Sequence, residues 1–242
     1  MKSLLRITFV LSLLFAITSR AAEAPAAGIT EPILDVTLSA PVPGIVTARK
    51  FKEGDFVQPG DVLIELDKKL EELETDRRKV LRDQKRGDFE STRQLFTTTK
   101  GVSKEEIDKK DAEFRVAAAE HDIAVEQLRR RQVNAPLAGT IIEVNIEVGE
   151  ACQPYQALVR VVDTRRCYFV TNVEAKSGAN LKPGQAVKLE ITTGAGPVAI
   201  TGRISFLSPV VDAGSGLQKV KVLFENADGK IPPGVAGRMF LD

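Results

Sequence analysis

Hydrophobic positions recur at a helical period through the middle of the chain, in a stretch that is also highly charged. No proline lies between Pro59 and Pro136, and acidic residues repeatedly precede basic residues by four positions, which stabilises helices. In the second half of this stretch one set of positions recurs every seven residues, as in a coiled coil. The predicted seam consists of Ile107, Phe114, His121 and Leu128, with Ala118 and Val125 between them.

A second heptad pattern precedes this one and weakens after Leu81. Its predicted seam residues are Leu66, Leu70, Leu73 and Val80. Between the two patterns, residues 97–103 lack the period, and Ser103 stands three residues before Glu106, a capping-box pattern that begins helices. We therefore predict an antiparallel helical hairpin over residues 68–132, which at ~1.5 Å per residue is about 45 Å long.

Both flanks of the hairpin alternate short β-branched runs with glycine turns, and they repeat each other at an offset of 95 residues. The matching positions of the first copy are Ala40, Pro41, Gly44, Gly54, Gln58, Pro59 and Leu63, and those of the second are Ala135, Pro136, Gly139, Gly149, Gln153, Pro154 and Leu158. Two half-buried sheets of this kind predict one β-sandwich, built from residues 40–67 and 133–163, into which the hairpin is inserted.

The amino terminus has the order of a secretory signal peptide. Two basic residues precede an apolar run over residues 7–17, and small residues follow where cleavage occurs. The run is shorter than the roughly 20 residues that cross a bilayer as a helix. We expect residues 1–21 to be removed, residues 22–39 to form a linker and a first strand that joins a barrel, and the mature chain to act outside the cytoplasm.

The amino-acid composition argues against several classes of function. With 34 Lys and Arg against 33 Asp and Glu, the net charge of +1 gives no long-range attraction to phosphate backbones, so we expect no nucleic-acid partner. One His, two Cys and two Met cannot build a zinc site without carboxylates, or a soft-metal cluster. No nucleophile and base are predicted to share a pocket, so we expect a protein that is not an enzyme and binds no cofactor or metal.

Several segments together resemble a known family. Residues 54–67 resemble the first lipoyl half-motif of periplasmic adaptor proteins, also called membrane fusion proteins, and residues 135–141 resemble the second. The landmarks of the small β-barrel that follows in this family are matched by residues 181–187, 202–204, 209–212 and 231–234. The resemblance implies an elongated, mainly β fold: a split lipoyl-like β-sandwich with an inserted α-helical coiled-coil hairpin, and a β-barrel over residues 164–242.

The same resemblance implies a periplasmic adaptor subunit of a tripartite efflux pump, held at the inner membrane by its transporter. Such a subunit joins an inner-membrane transporter, here expected to be of the RND type, to a TolC-type outer-membrane channel, and several copies form a hexameric ring. An adaptor of an ATP-driven (ABC) exporter is the alternative. The chain ends just past the last barrel landmark, so we expect the membrane-proximal domain of some family members to be absent or vestigial.

The resemblance also places channel-binding residues at the hairpin tip. These are Arg93, Leu95, Phe96, Ser103, Ile107 and Asp108. The spacing from Leu95 to Ser103 is one residue longer than in the family pattern. A guanidinium can bind a carbonyl or carboxylate, an apolar side chain can fill a groove, and a hydroxyl can bond to backbone. The alternative is purely structural: Ser103 caps a helix, Leu95 and Phe96 close the seam, and Arg93 is solvated.

Other residues have more than one interpretation. Lys68 follows the first half-motif, where lipoyl or biotinyl carriers present their modified lysine, but a rod rather than a tight turn starts there, so a carrier is the disfavoured rival. His121 is either a pH-sensitive group or an ordinary seam residue. Export would permit a disulfide between Cys152 and Cys167, yet Cys152 aligns with Val57, an apolar position of the repeat.

Overall fold

The structure is a computed structural model that describes residues 24–241. The predicted signal peptide, residues 1–21, lies outside the described residues. The helices are α1 (Lys69–Thr98), α2 (Lys104–Arg129) and α3 (Ala175–Gly178). The strands are β1 (Ala26–Ser39), β2 (Gly44–Arg49), β3 (Phe56–Val57), β4 (Val62–Leu66), β5 (Gln132–Asn134), β6 (Gly139–Val144), β7 (Ala151–Cys152), β8 (Ala157–Glu174), β9 (Ala186–Thr193), β10 (Gly196–Val211), β11 (Leu217–Glu225) and β12 (Ala236–Phe240).

Six strands close into an antiparallel barrel. Their order is β1-β12-β9-β10-β11-β8, and β8 pairs again with β1. Side chains alternate between the two faces of a strand, so a strand with apolar residues at every second position buries one face and exposes the other. In β9 the buried positions are Val187, Leu189 and Ile191. Phe169 and Met239 are fully buried in the same core, so the barrel interior is filled by side chains.

The two halves of the sequence repeat form a second module with its own core. Strands β5, β4, β2 and β7 make a four-stranded sheet, and their buried residues cluster with those of β3, β6 and the first part of β8. Each half bonds to the other in the same way. The Gly60 amide donates to the Ala135 carbonyl at 2.8 Å, and the Tyr155 amide donates to the Ala40 carbonyl at 2.9 Å. This reciprocity explains why the two copies match at their turns.

Strands β1 and β8 run through both modules without a break. They are paired from Gly28, opposite Thr171, to the far end of the sandwich. Where the modules meet, residues 164–166 of β8 stand opposite the single residue Ile33 of β1. Such a bulge bends a strand pair while keeping it continuous. The sandwich and the barrel are therefore joined by two paired strands rather than by a flexible linker.

The two cysteines lie in different cores. Cys152 belongs to the sandwich core and Cys167 to the barrel core, and both are buried and free. Burial raises the pKa of the Cys167 thiol, because a charged thiolate is poorly solvated there. The two residues do not form a disulfide, and each packs as a small apolar side chain.

The predicted hairpin is confirmed, because α1 and α2 leave the sandwich between β4 and β5 and lie side by side. The four α2 positions that were predicted to recur every seven residues are partly buried: Ile107, Phe114, His121 and Leu128. The prediction for the intermediate positions is wrong by one residue. Ala117 and Ala124 are the buried positions, whereas Ala118 is only partly buried and Val125 is exposed. Of the helices within residues 24–241, none is long and apolar enough to cross a membrane.

The predicted seam of α1 is wrong. Leu70 and Val80 are 77% and 69% exposed, Leu73 is also exposed, and Leu66 is buried only as part of β4. Charged residues take the side that faces α2: Arg78, Arg82 and Lys85. The physical reason is side-chain length. Long basic side chains reach past the short alanines of α2 and pair with its polar groups, which leucine and valine cannot do.

Candidate partner-binding site at the hairpin tip

Threonine side chains close the end of α1 at the tip. The hydroxyls of Thr98 and Thr99 each donate at 2.8 Å to carbonyls one turn earlier, those of Gln94 and Leu95. The Leu95 carbonyl also accepts the Thr99 amide at 3.0 Å, so the Thr99 hydroxyl adds a second hydrogen bond at the end of the helix. The chain then turns at Lys100, which has the left-handed φ of 52° that glycine usually provides. The tip is thus internally bonded.

The start of α2 is capped as predicted. Ser103 has extended backbone, and its Oγ accepts a hydrogen bond from the Glu106 amide at 3.1 Å. Glu105 and Glu106 lie in the first turn, where the helix dipole favours negative charge. Ser103 and Asp108 are both exposed. The Ser103 hydroxyl acts here as an acceptor, so its O–H is left to donate outward.

The predicted channel-binding residues do not share one surface. Phe96 and Ile107 are partly buried, whereas Leu95 is 51% exposed. Arg93 and Leu95 are two positions apart, which at about 100° per residue puts them on nearly opposite sides of α1. The tip therefore offers two separate contact surfaces, an apolar one at Leu95 and a cationic one at Arg93.

Arg93 is unpaired and continues a basic stripe along α1. Within residues 24–241 its guanidinium has no hydrogen bond or ion pair. Lys79 and Arg86 precede it at intervals of seven residues, so the three side chains lie on one face of the helix. Arg86 makes only a long contact of 3.8 Å with Glu90. Of this stripe, Lys79, Arg86 and Arg93, only Arg93 lies near the tip, where its free guanidinium can donate to a partner that carries carboxylates or carbonyls.

Ion pairs between the helices hold the shaft below the tip. The Lys85 Nζ lies 2.9 Å from the Glu113 Oε2, and Arg78 pairs with Glu120. The hydrogen bond from Lys85 holds the pKa of Glu113 below its usual value, because it stabilises the charged carboxylate. Sequence reasoning missed these pairs. The available signal was that Arg78 and Lys85, seven residues apart in α1, have Glu120 and Glu113, also seven residues apart, at the matching levels of the antiparallel α2.

Aromatic rings also contribute to the seam between the helices. Phe89 and Phe114 stack with ring centroids 6.3 Å apart. The Nη1 of Arg82 lies 3.2 Å from the Nδ1 of His121, whose side chain is 12% exposed. His121 is therefore an enclosed seam residue that contacts the opposite helix.

The base of the hairpin is fastened to the sandwich by Arg131. Its Nη1 donates to the Pro43 carbonyl at 2.9 Å, and the same guanidinium pairs with Glu71 of α1. Next to it, the Lys68 Nζ lies 3.4 Å from the Glu65 Oε2. A carrier lysine must project freely from a tight turn, whereas Lys68 is partly covered, paired and followed by a helix. This geometry counts against the carrier interpretation.

A further contact that sequence reasoning missed joins the sandwich to the barrel. The Asp163 carboxylate accepts bonds of 2.9 and 2.7 Å from the Arg165 guanidinium, which lowers the pKa of Asp163. That guanidinium lies 5.6 Å from the ring centroid of Phe56 in β3. The Asn226 amide donates to the Thr164 carbonyl at 2.9 Å. These contacts form at the bulge in β8. The local sequence pattern does not predict a bulge at this position.

The chain matches a family described as RND MFP, barrel-sandwich hybrid domain, over residues 35–164. These are 130 of the 242 residues, more than half of the chain. The matched segment begins within β1 and ends within β8, so it contains both halves of the sandwich and the whole hairpin.

A relative from Haemophilus influenzae, an uncharacterized protein, is 25% identical over 213 residues. The aligned part is 88% of this chain and 55% of that relative. The chain thus spans about half the length of the curated relative that it matches.

Solved structures share the fold. A MacA–MexA chimera that contains the α-hairpin domain of Pseudomonas aeruginosa MexA has a TM-score of 0.77 at 19% identity, over 90% of this chain and 79% of the chimera. The membrane fusion protein Spr0693 of Streptococcus pneumoniae R6 has a TM-score of 0.69 at 19% identity, over 91% of this chain and 99% of its own. Given the family match over more than half of its length, the chain belongs to the membrane fusion proteins, the periplasmic adaptor family of efflux systems.

Proposed function

We propose that this chain is the adaptor subunit of a tripartite efflux pump, which bridges an inner-membrane transporter to a TolC-type outer-membrane channel. The transporter is of the RND type, since the matched family carries that name. An adaptor of an ATP-driven exporter is the alternative within the same architecture. The adaptor acts in the periplasm, is held at the inner membrane by its transporter, and assembles with other copies into a hexameric ring.

The observation that carries this proposal is the hairpin itself. At ~1.5 Å per residue, the 30 residues of α1 extend about 45 Å from a firmly fastened base to a tip whose Arg93 has no partner within residues 24–241. A rod of this length with a free cationic end suits a bridge to a distant partner. Arg93, with Ser103 and Asp108 across the turn, forms the polar part of the channel contact, and Leu95, Phe96 and Ile107 form its apolar part.

We also propose that the domains follow the divisions read from the sequence. The sandwich comprises residues 40–67 and 133–163, the hairpin residues 68–132 and the barrel residues 164–242. The role is structural rather than enzymatic. In support, the chain belongs to an adaptor family, whose members are structural subunits.

Site-specific photo-crosslinking in cells tests the channel contact. A photoreactive residue at position 93 should capture an outer-membrane channel protein. Position 86 is the matched control, because Arg86 lies on the same face of α1, seven residues and about 10 Å below Arg93. Capture from position 93 and not from position 86 places the channel at the tip.

Two further results separate the alternatives. Affinity purification of the intact adaptor after crosslinking should recover a transporter without an ATPase subunit, whereas an ATP-driven exporter would bring its ATPase along. Arg93→Asp should abolish channel capture, while Arg86→Asp leaves it unchanged. The assignment of the channel contact to the tip is wrong if folded, well-expressed protein captures no channel from position 93. It is also wrong if Arg93→Asp and Arg86→Asp reduce channel capture equally.

A further inference from the structure

The hairpin is attached to the sandwich by two short crossings of the chain. The first runs from Leu66, the end of β4, to Lys69, the start of α1, and the second from Arg129, the end of α2, to Gln132, the start of β5. Within residues 24–241, the sandwich core and the apolar side chains packed on it include no residue of α1 or α2. A body held at two points can still rotate about the line that joins them, as at a hinge. Polar contacts away from that line therefore set the direction of the rod.

Arg131 supplies such a contact, because it joins the sandwich to the first turn of α1. Its backbone carbonyl accepts the Leu66 amide at 2.8 Å. Its side chain donates from Nη1 to the Pro43 carbonyl at 2.9 Å and pairs through Nη2 with the Glu71 carboxylate. The side chains of Arg131 and Glu71 are only 23% and 18% exposed. Water competes little for this pair, so it is stronger than the exposed pairs of the rod.

The sandwich leaves room for this guanidinium at Gly44. Gly44 follows Pro43 and is the first residue of β2. A Cβ built on Gly44 would lie 3.1 Å from the Arg131 Nη1, tighter than carbon and nitrogen usually pack. A side chain at position 44 would therefore push the guanidinium away from the Pro43 carbonyl. The close approach of backbone and guanidinium requires glycine here.

The neighbouring cations do not make an equivalent contact. The Nε atoms of Arg129 and Arg130 donate to the Glu126 carboxylate at 2.6 and 3.2 Å, so both bonds stay inside α2. Lys68 does link β4 to α1, but its Nζ lies 3.4 Å from Glu65 and 3.9 Å from Glu72. These are long contacts of a flexible side chain. The three consecutive arginines thus have different roles, although the sequence shows them as one basic run.

We propose that Arg131 is a positioning residue that fixes the direction of the rod relative to the sandwich. Without its side chain, the two crossings act as a hinge and the rod swings. The tip lies about 45 Å from the base at ~1.5 Å per residue, so a swing of about 20° moves it by roughly 15 Å. Arg93 then no longer points at a fixed place. The resulting loss of channel contact rests on the proposed function, whereas the swing itself does not.

Pulsed double electron–electron resonance on the full chain measures the swing. One spin label is attached at Arg86→Cys in the rod and the other at Glu143→Cys in the sandwich, both exposed positions. A second sandwich position, Val148→Cys, is 56% exposed and detects a swing that leaves the first distance unchanged. The native Cys152 and Cys167 are buried, so they should take up no label, which mass spectrometry of the chain without added cysteines checks.

Arg131→Ala should widen the distribution of label-to-label distances about twofold, because the rod is free to swing. Arg130→Ala is the matched control: it is the adjacent arginine, loses only a contact within α2, and should leave the distribution unchanged. Gly44→Ala keeps every charge and should widen the distribution less than Arg131→Ala, since its Cβ only displaces the guanidinium. It also serves as the second test if Arg131→Ala folds poorly.

Three outcomes overturn the proposal. One is a distribution that stays as narrow in Arg131→Ala and Gly44→Ala as in the unmodified chain. Another is equal widening in Arg131→Ala and Arg130→Ala, which would show general loosening of the helix end. A third is a lower urea midpoint of Arg131→Ala with unchanged distances, which would show that Arg131 only stabilises the fold. Because the distances are measured without transporter or channel, this proposal and the proposed function can fail independently.

Discussion

The β modules and the hairpin are held together by different forces. The barrel and the sandwich each enclose a continuous set of buried aliphatic and aromatic side chains, whereas the hairpin buries only Ala117 and Ala124. Its cohesion comes instead from ion pairs and ring contacts across the seam. Screening by salt does not weaken apolar burial, whereas it weakens ion pairs near the surface, which contribute little. The chain thus combines a stable base with a rod that is only weakly stabilised by itself.

The difference also explains why the hairpin carries apolar residues on its outside. In a closed barrel, the inner faces of the strands surround one common core, so the apolar side chains of every strand point inward. A two-helix rod has little interior, so the second apolar stripe, which includes Leu70 and Val80, stays exposed.

The largest effect is expected in the barrel core. Phe169→Ala should lower the free energy of unfolding by about 3–5 kcal/mol, because it removes a fully buried ring and leaves a cavity. Circular dichroism during urea denaturation measures the loss. The matched control is Phe206→Ala, which truncates a ring that is 44% exposed and should change stability by about 0.5 kcal/mol or less. Equal losses would contradict the account of the barrel.

The next largest effect is expected where the barrel meets the bulge. Asn226→Ala should cost about 1–3 kcal/mol, because it leaves the Ile231 amide and carbonyl, and the Thr164 carbonyl, without their side-chain partner. The same denaturation measurement applies. Asn172→Ala, at an exposed position of β8, is the control and should have little effect. A neutral Asn226→Ala would show that water replaces the side chain.

A smaller effect is expected at the start of α2. Ser103→Ala should destabilise the helix by about 1 kcal/mol through loss of the cap, and Ser103→Asp should restore it. Thermal unfolding followed by the helix signal measures both variants. Photo-crosslinking from position 93 then separates the two roles of this residue. If Ser103→Asp restores the helix without restoring channel capture, the hydroxyl contacts the partner; if both recover, Ser103 only caps the helix.

The smallest effect is expected from a seam ion pair. A double-mutant cycle with Lys85→Met and Glu113→Gln, measured by urea denaturation, should give a small coupling free energy. This coupling should decrease as salt is added, because salt screens the two charges. Lys85 lowers the pKa of Glu113 from its usual 4.5, so the coupling is fully present above about pH 4.5 and is lost as the pH falls through the lower folded-state value. A large, salt-independent coupling would show that the hairpin seam resembles the barrel core after all.

Much of the β architecture could be predicted because its turns require particular residue types at fixed positions of the sequence. Turn glycines such as Gly54 and Gly149 have positive φ, +90° and +94°, which other residues rarely adopt, and they recur at the repeat offset. The bulge at residues 164–166 has no such positive-φ glycine, and its Thr164 carbonyl is bonded by Asn226, 62 residues further along the chain. Closure of the barrel by β1 and β12 likewise involves strands at opposite ends of the chain.

The hairpin was only partly predictable for a different reason. A heptad pattern identifies an apolar stripe but does not say which helix the stripe faces. In α2 the stripe through Phe114 faces α1, whereas in α1 the stripe through Leu70 and Val80 faces away. The capping role of Ser103 followed from spacing alone. The channel-binding role of the tip residues stays a prediction, because it concerns a surface that only a partner can complete.

The strand pairing of the barrel sets an order of events as the chain matures. Ala26 in β1 lies opposite Met239 in β12, so the barrel cannot close until the segment that carries β12 is present. The hairpin, with short-range contacts, can form while later segments are still arriving. Until closure, the unpaired edge of β1 and the apolar residues of β9 and β10 remain open to aggregation. Pairing of β12 with β1 therefore completes the barrel and covers these open edges.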